Sequence, residues 1–297
     1  LSGNPESQAP PSSPPVPEGR SDASVVTQFF LIPLAVVAGM VGVFLLFTLA
    51  TRRTPTPEEY LKRLQSGRFN QRWQAAFELS NLLKESGALD KNPQLQNEVI
   101  EAFEASLVNR DEDPRVRRYL ALALGNSQSK GAIPPLLQAA QGSDPELRLY
   151  ALGGLARLRA DESEDIFKQG LLDPDPAVRS VCAFGLGSLS GPGGNIELTD
   201  LLKDPVPEVR WNAALALARR GNESGKAVLI QLLDRHYLDE FPRLTSADKA
   251  ELMLNALRGF KHLKTDGLDQ IIRSIAETDP DPRVRSAAAS WNVADPS

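Results

Sequence analysis

The sequence predicts an all-α protein: a right-handed solenoid of about seven short helix pairs, preceded by one transmembrane helix and a disordered N-terminal tail. Three observations carry this. The string Asp-Pro-x-hydrophobic-Arg recurs along the chain, with Arg117, Arg148, Arg179 and Arg210 each 31 residues apart. An uncharged run extends from Ala23 to Thr51, and the segment before it is dominated by proline and serine.

Residues 1–24 hold too little apolar surface to offset the entropy of ordering them, which predicts a disordered tail. Phe29 to Ala50 then reads FFLIPLAVVAGMVGVFLLFTLA, 22 residues that would span about 33 Å as a helix. Residues 25–51 are therefore expected to cross a membrane. The run is longer than the apolar part of a cleavable signal, roughly 7 to 15 residues, and acidic Glu6, Glu18 and Asp22 precede it where a signal carries basic residues. Arg52, Arg53, Lys62 and Arg63 follow it while Arg20 alone precedes it, which predicts an N-terminus outside and a cytoplasmic repeat domain. Ala35 with Gly39, and Ala38 with Gly42, are small pairs four apart that leave open a close helix partner. Residues 52–56 form a short linker. Thr56, Pro57 and Glu59 have the pattern of an N-cap, first helical residue and capping-box partner, so the repeat domain, 57–297, starts within about 18 Å of the apolar helix.

The repeat motif stands at Asp113–Arg117, Asp144–Arg148, Asp175–Arg179 and Asp281–Arg285, with a variant, Pro207 to Arg210, that lacks the Asp just before its proline. Arg72 to Leu79 parallels Arg210 to Leu217 and adds a first unit; Lys249 to Leu257 adds a degenerate one. Asp is a strong N-cap, and Pro fits the first helical position, where its missing N–H is not needed. Each Asp-Pro thus begins a helix. A polar or Gly-rich break and a second apolar helix lead to the next motif. Two helices per 31 residues are each too short to be stable alone and must stack on their neighbours.

This pattern resembles HEAT repeats, and more narrowly the short HEAT-like repeats of the phycobilisome (bilin) lyases. The resemblance covers about four fifths of the chain. It implies that Asp113, Asp144, Asp175 and Asp281 act as helix caps, with Arg117, Arg148, Arg179, Arg210 and Arg285 bridging to caps within or between repeats.

A net charge of −5 argues against wrapping nucleic acid. The lone cysteine, Cys182, excludes an intrachain disulfide and a thiolate-rich metal site, and reads as a buried core residue. His236 and His262 are isolated and lack the His-Glu pairs of the deoxyhypusine hydroxylase-like HEAT proteins. No glycine stretch has phosphate-loop spacing. No catalytic, cofactor-binding or metal-binding residues are assigned, and the chain is expected not to be an enzyme.

The helices that follow the motif carry net positive charge and those that precede it net negative charge. By resemblance the former line a groove. Between Arg210 and Lys249 the repeat stretches to 39 residues, and the added segment holds Tyr237, Phe241 and Arg243. Two readings of it stay open: an interface, for which aromatic and Arg anchors are typical, or a flap folded over the core of the sixth repeat. The interface reading joins Tyr237, Phe241 and Arg243 to a basic groove of Arg157, Arg219, Arg220 and Arg258. The function expected is a membrane-anchored, non-enzymatic scaffold or accessory subunit. Its partner would be a protein, a membrane protein or its acidic cytoplasmic segment, and not nucleic acid. The alternative is a lyase-type enzyme or subunit holding a ligand in the groove.

Overall fold

In the computed structural model, residues 31–51, 55–67, 69–86, 88–191, 193–263 and 267–293 are described. The tail expected over 1–24 lies outside them. The chain divides into two compact units, Leu1–Pro55 and Thr56–Ser297.

The described part of the first unit contains helix α1, Ile32–Thr51. Its described side chains run from Leu34 to Leu46, and nearly all are exposed. Among the described residues no helix is long and apolar enough to cross a membrane. This overturns the expected membrane-anchored, single-pass protein with its N-terminus outside and its repeat domain cytoplasmic; Phe29 and Phe30, counted in that apolar run, lie outside the described residues.

The described residues of the second unit form an all-helical solenoid of paired helices. Its described helices form seven successive pairs: α2 (Pro57–Ser66) with α3 (Phe69–Ser86), α5 (Pro93–Val108) with α6 (Pro114–Gly125), and α7 (Ile133–Ala140) with α8 (Pro145–Leu158). Then come α9 (Glu164–Gly170) with α10 (Pro176–Leu186), α11 (Asn195–Asp200) with α12 (Pro207–Arg219), α13 (Lys226–Leu232) with α15 (Ser246–Leu263), and α16 (Asp269–Thr278) with α17 (Pro282–Ala289). Two short helices interrupt the pattern, α4 (Ala88–Lys91) and α14 (Arg235–Asp239).

Four of the second helices, α6, α8, α10 and α17, begin as the motif chemistry dictates. Asp113, Asp144, Asp175 and Asp281 accept hydrogen bonds from the backbone N–H two residues on, at 2.8–3.1 Å, and Pro follows each as the first helical residue. Val206, at the same position before α12, offers no side-chain cap. Apolar side chains at four-residue spacing are then buried: Val116, Leu120 and Leu124 in α6, Leu147, Ala151 and Leu155 in α8, and Val178, Cys182 and Leu186 in α10.

The second helices pack side by side in order, α3 on α6 and onward to α17. Small residues set their closest approaches. A Cβ on Gly125 would stand 2.5 Å from the Gly154 Cα, and one on Gly187 would stand 2.6 Å from both Cα and Cβ of Ala216. These near-contacts lie at the C-terminal ends of the second helices, where the groove described next opens. The apolar interior falls into two clusters that meet at α12, to which it gives Val209, Ala213 and Leu217 on one side and Trp211, Ala214 and Ala218 on the other.

Candidate partner-binding groove

A groove of about 610 Å³ runs across the C-terminal ends of α8, α10, α12 and α15. Its repeat logic is visible in the numbering. Arg157, Arg219 and Arg258 each lie nine residues after Arg148, Arg210 and Lys249, and Ser188 holds the corresponding place after Arg179. Four neighbouring second helices thus present Arg, Ser, Arg and Arg at one level. Arg159 and His262 join them in the lining, with Ser190 and Asn255 as neutral polar neighbours, and no carboxylate lines the groove.

Arg157, Arg159, Arg219 and Arg258 form no ion pair with a carboxylate among the described residues. Two of them are nevertheless held in place. The Arg219 guanidinium sits over the Phe184 ring at 4.8 Å, and Arg258 Nη1 donates to Asn255 Oδ1 at 3.0 Å. Arg219 reaches solvent, yet the groove walls crowd it; this desolvation, reinforced by the charge of Arg159, lowers its pKa from the ordinary arginine value. Arginine does not give up its proton in proteins, so the groove is strongly positive at neutral pH.

Arg220, expected in this lining, is elsewhere. Its Nε donates to Asn195 Oδ1 at 2.7 Å, and its Nη atoms donate to the carbonyls of Leu186, Leu189, Gly191 and Gly193. Its five donors lock the loop between α10 and α11, so none is aimed at a partner. Of the two readings left open for Tyr237 and Phe241, their packing fits the flap over the core. Trp211 Nε1 donates to Tyr237 Oη at 3.2 Å, and the Trp211, Tyr237 and Phe241 rings pack edge to face with centroids 5.0–6.4 Å apart. The added segment folds over Trp211 and closes the second apolar cluster, because three aromatic faces left in water would forfeit that burial. Arg243 is exposed and outside the groove lining.

The motif arginines do not bridge to the caps. Arg148, Arg179, Arg210 and Arg285 each aim Nη1 at the carbonyls six and five residues back, and Arg117 Nη2 donates to the Glu112 carbonyl. Those carbonyls precede the cap in the turn between helices, where no helical donor reaches them. The inter-repeat pairing is taken by aspartates two residues before the cap, which sequence reasoning missed. Arg179 donates through Nε and Nη2 to both Asp204 oxygens at 2.8 and 3.0 Å, and Arg235 does the same to Asp279 at 2.7 and 2.8 Å. The weaker equivalent is Arg148 to Asp173 at 4.0 Å. Each of these aspartates also accepts from the N–H two residues on. Their sequence signal is the first Asp of Asp-Pro-x-Pro at 173, 204 and 279. Three caps are bridged by other arginines: Asp144 across repeats by Arg118, the neighbour of the motif arginine, and Asp113 and Asp281 within their own repeats by Arg115 and Arg283.

Arg159 and His262 were also missed as groove residues; the one follows the end of its helix and the other has no charge pattern to single it out. Cys182 is fully buried, and burial pushes its thiol pKa up to about 12. No group of three or more His, Cys, Asp and Glu side chains able to hold a metal occurs among the described residues.

Residues 100–172 and 164–240 match the model of HEAT repeats. No curated protein matches the sequence significantly. Among solved structures, the complex of CpcE and CpcF of phycocyanin lyase from Nostoc sp. PCC7120 is 19% identical with a TM-score of 0.57, covering 82% of this chain and 89% of that one. An engineered protein is 21% identical over 71% of this chain and 97% of its own, with a TM-score of 0.49. An archaeal HEAT-like repeats protein from Thermococcus onnurineus NA1 is 13% identical over 82% and 97%, with a TM-score of 0.41. The matched repeats and the likeness to the CpcE and CpcF complex establish the fold, a solenoid of HEAT-like repeats similar to that of the phycocyanin lyase subunits.

Proposed function

We propose that this protein is a non-enzymatic interaction module whose arginine groove takes an acidic segment of a protein partner. The observation that carries the reading is the set of four arginines, Arg157, Arg159, Arg219 and Arg258, in one groove that no carboxylate lines. Cations gathered without counter-ions repel one another, and an incoming anionic segment relieves that repulsion while gaining charge-assisted hydrogen bonds. HEAT-like repeats in general hold other proteins, and the CpcE and CpcF subunits similar in fold are themselves a complex.

The test is capture of partners on the immobilised full chain, with Arg157→Glu/Arg258→Glu as the comparison. The proposal expects specific protein partners on the unaltered chain, lost from the reversed variant at equal melting temperature and released by moderate salt. Partners retained by the charge-reversed chain would refute the groove as the binding surface. Purification with a bound absorbing small molecule would favour a lyase-type subunit instead.

A further inference from the structure

Arg159 is the one non-glycine residue at positive φ among the described residues, at φ 50° and ψ 47°. It closes α8 in a Schellman turn: the Ala160 N–H bonds the Leu155 carbonyl at 3.2 Å. Two repeats later α12 ends in the same turn, with Asn222 bonded to Leu217 at 2.9 Å, and there the left-handed position is Gly221, at φ 69°. Glycine adopts this conformation without penalty, whereas a side chain is strained in it. The chain thus holds an arginine at the end of α8 where α12 uses glycine, and that arginine lines the groove.

Helix dipoles do not explain the cluster. A cation in the last turn complements a helix C-terminus, which accounts for Arg157 and Arg219. Arg258 lies before the last turn of α15, and Arg159 beyond the end of α8, already strained. Arg159 and Arg219 stand near enough for the charge of one to act on the other, and with Ser188 and Ser190 in the same lining they offer a paired cationic site better matched to a dianion than to single carboxylates strung along a segment.

Resting on the reading of the groove as the site for an acidic partner segment, we infer that its ligand is a phosphorylated side chain of that segment, with Arg159 held in left-handed backbone to reach the phosphate. The flat fork of each guanidinium meets two phosphate oxygens at once, and the phosphomonoester adds close to two negative charges at one point.

The experiment presents the full chain with degenerate peptide libraries fixed at the centre as phosphoserine, phosphothreonine, phosphotyrosine or glutamate, followed by calorimetry on the peptides selected. The inference expects at least about tenfold preference for a phosphorylated library over glutamate. It also expects Arg159→Gly to weaken the selected peptide about tenfold while raising the melting temperature, since it removes strain and a ligand contact together. Equal retention of the glutamate library would overturn the phosphate ligand and leave the acidic-segment reading standing; retention of none would overturn both. Inorganic phosphate binding as tightly as the selected peptide would assign a free anion and overturn the phosphorylated segment. Arg159→Gly with unchanged affinity, or with a lowered melting temperature, would overturn the role of Arg159.

Discussion

Replacing Asp204 by Ala is expected to destabilise the solenoid more than replacing Asp175, although Asp175 stands in the repeated motif and Asp204 does not. Asp175 is exposed and accepts one backbone hydrogen bond, from the Ala177 N–H at 2.8 Å. Its loss costs about 1 kcal/mol, the ordinary value of an N-cap. Asp204 is 9% exposed and accepts three bonds, two from the Arg179 guanidinium and one from the Val206 N–H at 2.9 Å. Removing it strands a guanidinium side chain that is only 13% exposed. Breaking a buried pair on one side costs about 3 to 5 kcal/mol; the carbonyls of Asp173 and Pro174 still hold Arg179 Nη1, so about 3 kcal/mol is expected. Urea unfolding of the full chain, followed by circular dichroism at 222 nm, measures both variants. Asp175→Ala costing as much as Asp204→Ala would refute the assignment of the inter-repeat pairing to the residue before the motif. A pH series adds a second arm. Burial raises the Asp204 pKa, but the bonds from Arg179 and Val206 and the charges of Arg179 and Arg210 outweigh it, leaving the carboxyl below its ordinary value. Its contribution is therefore complete above the unfolded carboxylate pKa, about 3.9, and is lost as the pH falls through the folded value. The gap between unaltered chain and Asp204→Ala should accordingly narrow below about pH 4.

Gly187→Ala should destabilise by about 1 to 3 kcal/mol despite the better helix propensity of alanine, because the new methyl meets Ala216 at 2.6 Å; a neutral result in the same urea assay would contradict the close packing of α10 on α12. Exchanging Tyr237 and Phe241 for Ser should lower the melting temperature and shift Trp211 fluorescence to the red, and an unchanged melting temperature would restore them as free surface anchors. Cys182 should resist iodoacetamide at pH 8 in the folded chain and react once urea unfolds it, since burial holds the thiol pKa at about 12; prompt labelling of the native protein would contradict that burial.

The repeat was legible because each copy solves the same local problem with the same residues. Asp before Pro caps and starts a helix at 113, 144, 175 and 281 whatever lies around it, so counting copies was enough to read the architecture. Arg157, Arg219 and Arg258 were expected in the groove from the positive charge of the second helices, and they stand there at one repeat position. The misreadings have a common cause, which is that adjacent residues of a helix point to different places. Arg219 opens into the groove while Arg220 turns into the loop after α10. Arg117 holds a carbonyl while Arg118 bridges to Asp144. Composition likewise could not decide whether Tyr237 and Phe241 face a partner or Trp211, since both uses favour aromatics. Arg159 needed a backbone angle that no residue pattern reports.

The division of the interior at α12 bears on how the two ends of the repeat array communicate. With Val209, Ala213 and Leu217 committed to one cluster and Trp211, Ala214 and Ala218 to the other, α12 is the shared wall between them. In a nearest-neighbour array, cooperativity is transmitted from unit to unit, so its strength across the middle is set by this helix. A defect in α17 loosens one cluster only, while a defect in α12 uncouples the halves and lets each melt by itself. The groove spans that wall, drawing Arg157 from one side and Arg258 from the other. On the proposed reading of the groove, a bound segment spans both clusters, so a variant weakened in α12 that melts in two transitions is expected to melt in one when the segment is bound.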